Sequence, residues 1–86
     1  KGADTGHPPV SNGQGLLAFC WDEDHYRNLM VIDINTGEMV LHKRDKDKTI
    51  TVLRFIDHER LAFYDGNYYA VLNVNTLEIQ TLKPYR

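Results

Sequence analysis

The stretch LMVIDINTGE, residues 29–38, returns forty residues later as YAVLNVNTLE, residues 69–78. Val31, Asn35, Thr36 and Glu38 meet identical residues at Val71, Asn75, Thr76 and Glu78, and most other positions keep their type. A second match has a slightly different spacing: Leu17-Ala18-Phe19 falls on Leu61-Ala62-Phe63 at an offset of 44. The four-residue difference lies in the polar stretch 22–27 against 65–67, and a length change in a loop between matching segments is what a duplicated unit produces. The chain therefore reads as two tandem copies of one unit.

Each unit is built from short, β-branched or aromatic segments separated by turn residues. In the first, strands are expected at 16–21, 28–34 and 38–42. The polar loop Asp22-Glu23-Asp24-His25-Tyr26 and the tight turn Asn35-Thr36-Gly37 separate them. A charged loop at 43–48 leads into the second unit, with strands expected at 49–56, 60–65, 68–75 and 78–82. Asp57-His58-Glu59, Asp65-Gly66-Asn67 and Asn75-Thr76 provide its turns, and Pro84 ends the pairing. The best helical candidate, 49–64, opens with Thr49, Ile50, Thr51 and Val52, which are stiff at χ1, and no clean 3.6-residue stripe runs through it. The fold class expected is all-β: antiparallel β-meander repeats, forming about two propeller-like blades.

Residues 1–14 read as a flexible tail or linker, punctuated by Gly2, Gly6, Pro8, Pro9 and Gly13. Repeats at 15–46 and 47–86 follow. The tail is poor in β-formers, so the first unit is expected to hold three strands where the second holds four.

A unit of 40 to 44 residues holding three or four strands matches the blade period of a β-propeller. The run LAFCWDEDHYRNLMVIDINTG, residues 17–37, resembles the blades of TolB-like propellers. There an apolar-Ala-Phe strand leads through an acidic loop to a strand ending Asp-x-x-x-Gly. It is also similar to the hairpins of WD40-like and quinoprotein-type blades, although the Gly-His pair of WD40 repeats is absent. The resemblance spans residues 16–82. It implies a protein- or peptide-binding scaffold without chemistry of its own, or the propeller of a peptidase whose catalytic domain lies elsewhere. A self-assembling carbohydrate-binding ring is a third reading, although Trp21 falls on Asp65 at the 44-residue offset and no aromatic repeats there.

Composition narrows these options. With 42% hydrophobic and 26% charged residues the chain is ordinary for a globular protein, and its net charge of −2 argues against a nucleic-acid partner. The basic stretch 42–48 is diluted by Asp45 and Asp47 and reads as solvated. No apolar run reaches 18 residues, so no membrane span is expected, and Lys1 to Gly15 lacks the apolar core of a signal peptide. Localisation is left open.

Cys20, the single cysteine, sits in an apolar run and reads as a small buried hydrophobe without a disulfide partner. Asp22, Glu23 and Asp24 are consecutive and lack the alternating ligands and glycine bend of a calcium loop. His7, His25, His42 and His58 show no metal-ligand spacing and read as surface residues. No catalytic group, metal or cofactor is expected. The candidate binding surface is the aromatic rim Trp21, Tyr26 and Tyr68, with Asp24 and His25 of the intervening loop, because Tyr and Trp are the commonest binding anchors. The partner expected is a protein or peptide. A pair of blades leaves apolar faces open, to be covered by further copies of the chain, by the remainder of a larger propeller, or by packing of its own sheets together as a compact β-domain.

Overall fold

The computed structural model describes residues 8–46, 50–66 and 68–84. His7 and the rest of the tail's first seven residues lie outside the described residues, as do Asp47, Lys48, Thr49, Asn67 and the last two positions; residues 43–46 of the stretch expected as a charged loop continue a strand instead. The described chain is all-β: two four-stranded antiparallel meanders with strictly sequential order and no helix. The first sheet holds β1 (Val10–Ser11), β2 (Leu16–Glu23), β3 (Tyr26–Asp33) and β4 (Glu38–Lys46). The second holds β5 (Ile50–Asp57), β6 (Arg60–Asp65), β7 (Tyr68–Asn73) and β8 (Ile79–Pro84).

Strand β1 forms inside the stretch read as a tail. Two residues are enough because Val10 pairs with Ala18 and Ser11 with Leu17, and Val10 packs against the core. Asn12 secures the return: its Oδ1 accepts from the amides of Gln14 and Leu16 at 2.7 and 3.0 Å. The first unit therefore has four strands, like the second.

The polar loop 22–27 contracts to a two-residue turn. β2 runs on to Glu23 and β3 begins at Tyr26, leaving Asp24 and His25 at φ 55° and 70°. Positive φ at both central residues is the two-residue hairpin geometry that matches strand twist, and Asp and His tolerate it better than most.

The duplication extends to individual hydrogen bonds. Asp33 Oδ1 accepts from the amides of Asn35 and Thr36 at 2.9 and 3.3 Å, and Thr36 Oγ1 accepts from Glu38 N at 3.2 Å. Asn73 Oδ1 accepts from Asn75 and Thr76 at 2.8 and 3.0 Å, and Thr76 Oγ1 accepts from Glu78 N at 3.3 Å. Gly37 takes φ 80° and its counterpart Leu77 takes φ 67°, so the side-chain bonds impose the turn even without a glycine.

Strand alternation and register define two faces on each sheet. On the first, Leu17, Phe19, Trp21, Met30 and Ile32 share the front; Ala18, Cys20, Leu29 and Val31 share the back. On the second, Leu61, Phe63, Ala70 and Leu72 share the front; Ala62, Tyr64, Tyr69 and Val71 share the back. The buried core consists of the back of the first sheet and the front of the second: Ala18, Cys20, Leu29 and Val31 with Ile50, Val52, Leu61, Phe63, Ala70, Leu72 and Val74. Each large side chain among them contributes about 1.5–3 kcal/mol by leaving water. The sheets thus stack front onto back, with equivalent residues facing the same way. An overall extent of 34 × 32 × 19 Å fits two layers about 10 Å apart. Among the described residues, hydrogen bonds that cross between the layers include Arg27 Nη1 to the Ile50 carbonyl at 2.6 Å and Asn12 Nδ2 to the His58 carbonyl at 2.7 Å.

Candidate functional site

Because the sheets stack front onto back, the front of the first sheet has no layer over it. Three strands build its surface. Trp21 of β2 and His42 of β4 flank β3, and their rings meet above it, 5.6 Å apart and inclined at 21°. Phe19 also stacks against Trp21, at 5.6 Å. Beneath the Trp21–His42 roof lies Asn28, the one buried polar residue among those described, 1% exposed. Its Oδ1 is 2.9 Å from His42 Nε2, and its amide donates to the Trp21 carbonyl at 3.4 Å. A buried amide without partners would cost free energy, so these bonds hold the stack in one arrangement.

At the hairpin end, Tyr26 pairs across the ladder with Glu23 and carries the Arg44 guanidinium 4.1 Å above its ring. The cation–π contact fixes two side chains that would otherwise be free. Trp21 Nε1 donates to Glu23 Oε1 at 3.4 Å. On the back of the same hairpin Asp22 pairs with Arg27, whose Nη1 reaches Ile50. The rim is therefore braced from behind by the second sheet.

The structure brings Trp21 and Tyr26 to one face, with Asp24 and His25 exposed in the turn between their strands. Tyr68 belongs to the other sheet. It pairs with Asp65 on the front of that sheet and is 44% exposed. Ile50 pairs with Asp65 and accepts from Arg27, so the β2–β3 and β6–β7 hairpins lie at the same end of the molecule. Tyr68 shares that end with Trp21 and Tyr26 but not their face. Sequence reasoning missed Phe19, Asn28, His42 and Arg44 as parts of this surface. The available signal was parity: His42 and Arg44 alternate with Lys43 along β4, opposite Met30 and Asn28.

Cys20 is buried, with Arg27 Nη1 at 4.0 Å from its sulfur. Among the described residues no three His, Cys, Asp or Glu side chains come together as a metal site. Hydrogen bonding by the Arg60 side chain, helped by the Glu59 amide, holds the Asp57 carboxyl below its ordinary value. Comparison with protein families, with curated proteins and with solved structures returns no match to this chain.

Proposed function

We propose that this chain is a pair of β-propeller-type blades and that it acts as a non-enzymatic scaffold holding a protein or peptide at its hairpin end. The observation that carries the reading is the front-onto-back stacking of two copies of one meander. A sandwich closed on itself would pack equivalent faces together, whereas blades follow one another facing the same way. The rim supports the binding half of the proposal. Trp21, Tyr26 and Arg44 present two aromatic rings and a guanidinium, the side chains most enriched at interface hot spots, on a hairpin fixed by a two-residue turn. Asp24 and His25 add exposed polar groups beside them. Preorganised aromatic anchors lose little entropy on binding.

Selection of a displayed random-peptide library against the chain tests this reading. Selected peptides should lose about tenfold or more in affinity for Trp21→Ala and for Tyr26→Ala, with the circular dichroism spectra unchanged. Failure to enrich any peptide, or peptides indifferent to both substitutions, would overturn it.

A further inference from the structure

The intramolecular interface is made of two different surfaces, the back of one sheet and the front of the next. Such an interface is heterologous, and a heterologous interface leaves one unused copy of each surface at its two ends. Here those are the front of the first sheet and the back of the second. Their burial shows the mismatch residue by residue. Leu61, Phe63 and Leu72 are fully buried, while their counterparts Leu17, Phe19 and Ile32 are only partly buried. Leu29 is fully buried, while its counterpart Tyr69 is 37% exposed. Both open surfaces keep the apolar character of the covered ones. Phe19, Met30 and Ile32 stand ready on one side, and Ala62, Tyr64, Tyr69 and Val71 on the other, with Tyr64 and Tyr69 in ring contact at 5.7 Å.

We infer that a second copy of this chain docks the back of its second sheet onto the front of the first, repeating the interface already present within each chain. Continuity argues for this occupant: the surface it must offer is the counterpart of one that already fits. A shallow recess of about 410 Å³ on that back face is lined in part by Arg60 and Val71. These match Leu16 and Val31, which pack into the core at the same place on the first sheet. Repeated head to tail, such an interface forms a ring when its rotation closes, as the rotation between propeller blades does. Four to eight blades are the usual propeller sizes, so two to four copies would complete one. This inference rests on the blade reading proposed above, but its test uses different residues. Peptide capture is read at Trp21 and Tyr26, at the hairpin end of that front, and assembly at Met30 and Val71; a monomer that still captures peptide would overturn assembly alone.

The test is native mass spectrometry and light scattering of four samples at about 100 µM subunit, a concentration chosen for ordinary interface affinities. Met30→Glu blocks only the front of the first sheet; Val71→Glu blocks only the back of the second. Both positions are partly exposed, and circular dichroism verifies that the variants fold. The unmodified chain should run as a closed multimer of two to four copies, and each variant alone as a monomer. An equimolar mixture of the two should give a one-to-one dimer that grows no further, because each variant retains the surface the other needs. A monomeric unmodified chain would overturn the inference. So would variants that assemble alone, or a mixture that forms no dimer.

Discussion

Ile34 and Val74 occupy the same place in the two repeats, and their backbones are held alike. Ile34 N donates to the Gly15 carbonyl at 2.8 Å, and Val74 N to the Glu59 carbonyl at 2.9 Å. Yet Ile34 is 56% exposed and Val74 only 6%. Local sequence and local hydrogen bonding are the same, so the difference comes from the layer above. Val74 belongs to the core cluster between the sheets, and Ile34 lies outside it.

The same asymmetry predicts unequal costs for equal substitutions. In a Met30→Glu background, which keeps subunits apart, Phe63→Ala should cost about 3–5 kcal/mol because it opens a cavity in the core. Phe19→Ala should cost about 1 kcal/mol, the common value for a partly exposed side chain. Urea unfolding followed by Trp21 fluorescence measures both. Equal costs would mean that Phe19 is as well covered as Phe63.

Leu77 carries the repeat's turn at φ 67° without a glycine. Left-handed backbone costs a side chain about 1–2 kcal/mol, while glycine loosens the unfolded chain by about 0.4–1 kcal/mol. Leu77 is 47% exposed, so little burial is lost. The balance favours Leu77→Gly by about 0.5 kcal/mol, and Gly37→Leu should be destabilising by a similar or larger amount. Melting temperatures of the two variants should therefore move in opposite directions.

Arg27 ties the hairpin end of the first sheet to the second through Ile50. Arg27→Met keeps most of the aliphatic stem and removes the hydrogen bonds, leaving Asp22 and the Ile50 carbonyl without them. The expected loss is about 1.5–3 kcal/mol, the range for hydrogen bonds involving charged groups. Arg27→Lys should recover only part of it, because an ammonium cannot serve the carboxylate and the carbonyl in the same fork geometry. Full recovery by lysine would show that charge alone matters there.

Asp57 sets a pH dependence whose sign is fixed. Hydrogen bonds from the Arg60 side chain and the Glu59 amide lower its native pKa below the ordinary 3.8. Its contribution is therefore complete above that value and fades as pH falls through the lowered native one. Asp57→Asn should reduce the melting temperature at neutral pH, and the gap to the unmodified protein should narrow on acidification below pH 3.8. A gap that widens in acid would contradict the pairing.

Much of the fold was legible because repetition and turn chemistry are local. Val31/Val71 and Asn35/Asn75 exposed the duplication, and seven of the strands followed from residue type and turns. β1 was not legible: Pro8, Pro9 and Asn12 flank a two-residue strand whose existence depends on Ala18 and Leu17 beside it. The Asp24-His25 turn was read too long because consecutive acids resemble a loop, whereas two tolerated positive φ values let the strands continue through Glu23 and Tyr26. Of the candidate surface, Trp21 and Tyr26 were visible as aromatics beside a turn. The contribution of His42 was not, since it reaches Trp21 across an intervening strand, and that proximity exists only once β3 and β4 have paired.

The central claim is that the two sheets stack front onto back, and methyl-labelled nuclear Overhauser spectroscopy tests it most directly. Ile50 and Val52 methyls should show cross-peaks to those of Ala18, Leu29 and Val31, and none to Met30 or the Phe19 ring. Cross-peaks from Ile50 and Val52 to Met30 and Phe19 would contradict the account. Equivalent faces would then be packed together in a closed sandwich, and no open front would remain for a partner or a second copy.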